Sequence, residues 1–132
     1  SYTGDILDPN QTKYNLKYYN QLAKDLENAG AHMIAIKDMA GLLKPYAATE
    51  LVAALKDTVS LPIHLHTHDT SSLQTTTYLK AIEAGVDVID CALGGLSGLT
   101  SQPNFNSVVE MLKYQDRAPE FHMDSLNKFS NF

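Results

Sequence analysis

The chain has one cysteine, no block of lysine or arginine and no long apolar run, and each shortage removes a class of protein. A lone Cys91 excludes an internal disulfide framework. Ten Lys and Arg stand against fifteen Asp and Glu, for a formal net charge of −5, and the basic residues form no stripe. Nothing here attracts a phosphate backbone, so nucleic acid is excluded as a partner. No apolar stretch approaches the ~20 residues that span a bilayer, and the first residues lack the basic region and apolar core of a secretory signal. The chain reads as soluble and intracellular. What is present is ordinary for one domain: 132 residues, 44% of them hydrophobic. Cys91 lies in the apolar run "VDVIDCAL" and is expected to be a buried free thiol.

Apolar positions recur at the spacing of a helix face over 12–29, through Leu16, Tyr19, Leu22, Ala23 and Leu26, with Thr12 as its cap and Gly30 at its end. "AHMIAIKDM" follows as a strand bounded by glycines. Pro45 suits the first turn of a second helix with the stripe Ala47, Leu51, Ala54 and Leu55. "LPIHLHTHD" is the next strand. A third helix starts near Ser71 and Ser72, shows Thr75, Leu79 and Ile82, and stops at Gly85; "VDVIDCAL" is a strand. The loop "GGLSGLTSQP" leads to a fourth helix with Phe105, Val108, Val109 and Leu112, and "SYTGDI" reads as a further strand end.

The alternation of strand and helix calls for an α/β fold with a parallel sheet. "NAGAHMIA" and "EAGVDVID" echo each other, with Gly30 and Gly85 lying 55 positions apart, two units of about 27 residues. That period suits a (β/α)8 TIM barrel. Because a complete barrel takes ~250 residues, these four βα units make half of one, and residues 1–132 read as a barrel fragment. An open flavodoxin-like sheet of four strands, apolar on both faces, would be thin.

Strand side chains alternate between faces. This sets Met33, Ala35 and Lys37 against Ile34 and Ile36, and His64, His66 and His68 against Ile63, Leu65 and Thr67. If the aliphatic set meets the helices, the lysine and histidines face the barrel interior, near the C-terminal strand ends where barrel sites are built. His66 and His68 form an H-x-H pair able to hold one divalent ion. His64 is deeper on that face and reads as structural support; His32 and His122 read as surface residues. A charged ammonium on an apolar strand must be paired, neutralised or modified. Lys37 therefore pairs with a carboxylate such as Asp90, forms a Schiff base with a carbonyl substrate, or takes up CO2 as a carbamate and becomes a third metal ligand. Asp69 flanks the histidines and suits either their support or a turn.

"SYTGDI", "IKDMAGLLKP", "HLHTHDTS", "EAGVDVIDCAL" and "SGLTSQP" together resemble the carboxyltransferase domain of pyruvate carboxylases, in order and spacing, nearly to residue 113. Oxaloacetate decarboxylase α subunits and the transcarboxylase pyruvate-binding subunit share "KDMAGLLKP" but read H-C-H and lack "SGLTSQP". Hydroxymethylglutaryl-type lyases and synthases have the H-x-H pair but read G-D-T in place of "KDM". Ser72 departs from the family, which commonly has glycine there.

The resemblance implies the C-terminal half of a barrel holding one divalent ion, Mn2+ or Zn2+. Lys37 matches the carboxylated lysine ligand, and His66 and His68 match the histidine pair. The aspartate ligand, most of the pyruvate site and the proton-shuttling threonine match positions outside this stretch. The implied reaction is CO2 transfer from carboxybiotin, carried by another domain, to pyruvate to give oxaloacetate. It takes place in a tetrameric parent enzyme of the bacterial cytoplasm or mitochondrial matrix. Taken alone, the chain is expected to be inactive, to bind metal weakly at best and to self-associate through its open sheet edges. Two rival readings are a class I aldolase with Lys37 as nucleophile and an inert piece that only assembles with its parent.

Overall fold

The computed structural model describes residues 1–131. Five helices, α1 (Leu16–Asn28), α2 (Pro45–Thr58), α3 (Gln74–Glu83), α4 (Phe105–Leu112) and α5 (Met123–Ser130), accompany three strands, β1 (Ile34–Asp38), β2 (Ile63–Thr67) and β3 (Val88–Ile89). The strands form one parallel sheet in the order β1-β2-β3, with α2 and α3 as crossovers. Alternation decides the faces: Ile34, Ile36, Ile63 and Leu65 are buried in one core with Leu51 and Tyr78. Ala35 and Lys37 lie exposed on the opposite face, and His64 and His66 are half-buried there.

The helices start and stop where local chemistry requires. Pro45 is the first residue of α2, where its missing N–H costs nothing. Asn15, rather than Thr12, caps α1 by accepting from the Tyr18 amide, because Thr12 lies four residues before the first residue of the helix. The two halves of the repeat close alike: after α1 and α3 the chain turns through Gly30 and Gly85 at φ 92° and 98°. The α3 helix begins at Gln74, later than the serine pair, because Asp69–Ser71 form a 3-10 turn and Ser72 takes a left-handed φ of 58°. That backbone geometry favours glycine, so Ser72 adopts at some cost a conformation that glycine would adopt freely.

Three expectations are corrected. "SYTGDI" is not a strand, although the Tyr2 amide donates to the Lys37 carbonyl at 2.8 Å along the edge of β1. The fourth strand shrinks to Val88–Ile89 plus a single parallel bridge from Ala92 to Asn104, because the chain turns into the glycine-rich loop. Leu22 and Leu26 stay exposed, while Tyr19 and Ala23 of α1 are buried in the core and Leu16 packs against it. The polar tail also holds a helix, α5, anchored by buried Leu126. None of the helices among the described residues is long and apolar enough to cross a membrane.

One buried side chain joins the sheet to α3. Tyr78 has no exposed surface; its hydroxyl donates to the Asp90 carbonyl at 2.6 Å and accepts from the Thr67 amide at 3.3 Å. Burial pushes its ionisation far above the ordinary tyrosine range, so it stays a neutral donor. Tyr78→Phe orphans two backbone groups and is expected to cost about 1–3 kcal/mol, read as a lower denaturant midpoint. An unchanged midpoint would contradict the assignment.

Candidate metal centre

Parallel pairing sets the geometry of the site. Lys37 of β1 is in register with His66 of β2, one residue before the end of each strand, and His68 follows just beyond β2. Paired strands lie about 4.8 Å apart, so the lysine and histidine start from adjacent positions on one face. The imidazoles of His66 and His68 converge, their Nε2 atoms 3.1 Å apart and their rings inclined at 72°.

The other ring nitrogens define the chemistry of this approach. His66 Nδ1 meets Asp90 Oδ2 at 2.7 Å and His68 Nδ1 meets the Thr100 carbonyl at 2.6 Å. Both partners only accept, so each Nδ1 carries the hydrogen and each neutral ring presents a bare Nε2 lone pair. Two lone pairs facing at 3.1 Å repel unless a positive species lies between them. A shared proton satisfies that need, and so does a metal ion. Two nitrogens each about 2.0–2.1 Å from one cation, at right-angled to tetrahedral separation, stand about 2.8–3.4 Å apart. Donation of the remote N–H to a carboxylate or carbonyl is the usual arrangement of metal-bound histidine. The pair therefore fits a divalent ion. It does not make a complete site, since no group of three or more His, Cys, Asp and Glu among the described residues is placed to hold one. A third donor has to come from elsewhere, and Lys37 is the adjacent nitrogen.

Lys37 does not pair with Asp90, which corrects the ion-pair reading. Asp90 is occupied by two imidazoles, His66 and His64, the latter through Nε2 to Oδ1 at 2.8 Å. Burial alone would raise the Asp90 carboxyl, yet the hydrogen bonds from His66 and His64 outweigh it and hold the group below the ordinary carboxylate range. Among the described residues the Lys37 ammonium forms no ion pair, and its side chain is exposed on the open sheet face. Its apolar strand neighbours, Ile34 and Ile36, point to the other face.

The surrounding loops hold the strand ends. Asp38, fully buried, accepts from the Leu42 and Leu43 amides at 2.9 Å and from the Thr67 hydroxyl at 2.8 Å, tying the β1–α2 loop to β2. Gly41 in that loop has φ 65°, and a Cβ there would lie 2.6 Å from the His68 carbonyl, so only glycine permits the loop to lie against this histidine. Asp69 accepts from the Gln74 amide at 3.1 Å and donates its own N–H to the Ser101 carbonyl at 2.8 Å, which makes it a turn residue and no support for the imidazoles. "GGLSGLTSQP" does reach the strand ends, through Thr100 and Ser101. His32 and His122 are exposed, as expected.

Sequence reasoning missed Asp38 and missed the contact of Asp90 with the histidines. The signal for Asp90 was its place at the end of "VDVID", the same distance along its strand as the histidines along theirs; the alternation of faces, applied to it as well, would have paired it with them. Cys91 is half-buried beside a cavity of about 690 Å3 between β3 and α4, and burial pushes its thiol up to about 12. Thiolate is then scarce at pH 8, and Cys91 is expected to react with a disulfide reagent about a thousandfold more slowly than free cysteine until the chain unfolds. Rapid labelling of the native protein would show that the thiol is not suppressed.

Over 131 residues, 99% of this chain, it is 55% identical to pyruvate carboxylase of Bacillus subtilis, and 46% identical over its full length to mitochondrial pyruvate carboxylase of Homo sapiens. The chain spans only 11% of the length of either relative. Structures of the carboxyl transferase domain of Rhizobium etli pyruvate carboxylase, one with pyruvate and one with pyruvate and biocytin, superpose with a TM-score of 0.97 at 54% identity. They cover 98% of this chain, which spans 22% of theirs. With the HMGL-like family model matching residues 8–132, the chain belongs to the HMGL-like family, as a TIM-barrel fragment similar to part of the pyruvate carboxylase carboxyl transferase domain.

Proposed function

We propose that residues 1–132 form part of the carboxyltransferase site of a biotin-dependent pyruvate carboxylase, in which CO2 passes from carboxybiotin to pyruvate to give oxaloacetate. In this reading Lys37, His66 and His68 hold a divalent cation, Mn2+ or Zn2+. The observation that carries it is the pair of bare Nε2 atoms 3.1 Å apart, each ring fixed from behind by an acceptor. A cation bound there supplies Lewis acidity for the negative charge that develops on a pyruvate oxygen when its methyl group loses a proton.

The chain's own residues prepare that site. Asp90 and Thr100 orient the two imidazoles, and the loop through Gly41 sets the position of the His68 backbone. Lys37, in register with His66, is placed to take up CO2: its neutral amine forms a C–N bond to CO2 and releases one proton, giving a carbamate whose oxygen is an anionic donor. Carbamylation supplies the third donor that the acidic residues of this chain do not. The loop 94–103, tied to His68 and Asp69, lies where it can border the entrance for biotin. Oligomeric assembly, tetrameric in the family, belongs to the parent protein. The parent's location follows that of its relatives, bacterial in one case and mitochondrial by name in another.

The reading is tested in the full-length parent. His66→Ala and His68→Ala are each expected to reduce bound metal and oxaloacetate formation to background, and native mass analysis should find Lys37 carrying a CO2 adduct. Lys37→Ala should remove both the adduct and the metal. Borohydride trapping of pyruvate on Lys37, with metal content unaffected by the histidine changes, would instead establish an aldolase-like Schiff base. Residues 1–132 alone are expected to form no oxaloacetate.

A further inference from the structure

Asp90 holds a position that the matched motifs leave without a role. Its backbone is fixed on two sides, the N–H donating to the Leu65 carbonyl at 3.3 Å and the carbonyl accepting from buried Tyr78 at 2.6 Å. Its carboxylate lies across the neighbouring strand, with Oδ2 on His66 Nδ1 at 2.7 Å and Oδ1 on His64 Nε2 at 2.8 Å. An ionised carboxylate offers one acceptor to each ring and donates to neither. Each contact therefore fixes a tautomer: His66 must be protonated on Nδ1 and His64 on Nε2.

We propose that Asp90 is a positioning residue for the cation site, holding His66 in the tautomer and ring orientation that aim the Nε2 lone pair at the cation, with His64 bracing the far oxygen of the carboxylate. The inference rests on the reading that His66 and His68 hold a cation. His68 is held by a main-chain carbonyl, which no side-chain substitution removes, whereas the orientation of His66 depends on one side chain. The pair is therefore asymmetric, and His66 is the ligand whose geometry sequence can tune. His64, which shares no atom with the converging pair, gains a function as the brace, and the three histidines of "IHLHTHD" divide into one support and two ligands.

The test uses the full-length protein and Co2+ as the probe, with affinity from chelator competition and the ligand field from the visible absorption spectrum. Asp90→Ala is expected to weaken Co2+ binding 10–100-fold and to shift the spectrum, the range found when partners behind metal-bound histidines are removed. Asp90→Asn keeps the size of the side chain but has one acceptor oxygen for two rings; it is expected to bind Co2+ about 10-fold more weakly than wild type, with a shifted spectrum. His64→Ala, which removes the brace and leaves the Asp90–His66 contact, should change affinity less than either. Wild-type affinity and spectrum in Asp90→Asn would overturn the proposal even if Asp90→Ala failed to fold. Failure of the underlying reading has a separate signature: Co2+ binding and spectrum would survive His66→Ala, and the inference about Asp90 would fall with it.

Discussion

Two imidazole lone pairs facing each other at 3.1 Å are the constraint around which the site is arranged. Left alone they repel, and the two acceptors behind the rings prevent either ring from relieving the repulsion by moving its proton to the front. The rest of the local structure serves to keep them there. Asp38 ties the β1–α2 loop to β2, Gly41 lets that loop lie against His68, and Tyr78 locks the backbone of Asp90. The Asp38–Thr67 bond is buried and the Tyr78–Asp90 bond part-buried, where a polar group without a partner is costly. A positive species between the rings would complete an arrangement that the protein has already organised.

The fold contributes register and facing. Because β1 and β2 run parallel with Lys37 opposite His66, the residues that matter emerge together at one end of the sheet. A shift of one residue would have turned the lysine into the core and the isoleucines out. The apolar sets Ile34, Ile36, Ile63 and Leu65 hold that register against the helices, so stability and site geometry share one cause. Similarity to the carboxyl transferase domain of Rhizobium etli pyruvate carboxylase, at a TM-score of 0.97, fits a unit whose shape is set by this packing.

Much of this was legible from residue order. Alternation along "IAIKD" and "IHLHTHD" placed the lysine and histidines on one face, and Pro45, Gly30 and Gly85 marked helix ends that the structure keeps. The rest depended on contacts between distant segments. Charge offers Asp90 as one of three answers to Lys37, while the structure gives its carboxylate to two rings on the neighbouring strand. Asp69, beside the histidines in sequence, suits either their support or a turn, and the structure decides for the turn: the chain bends there into a 3-10 turn and carries the carboxylate to the start of α3. Strand ends failed for a related reason: Val88–Ile89 is short because the glycine-rich loop diverts the chain, and hydrophobicity alone does not register that bend.

Anomalous diffraction from crystals of the full-length parent protein, recorded at the absorption edge of the bound metal, addresses the central claim most directly. The account predicts one peak about 2.0–2.1 Å from both Nε2 atoms of His66 and His68, with an oxygen of modified Lys37 as a further ligand. A cation bound elsewhere, with no anomalous peak between the two imidazoles and an unmodified Lys37, would contradict it.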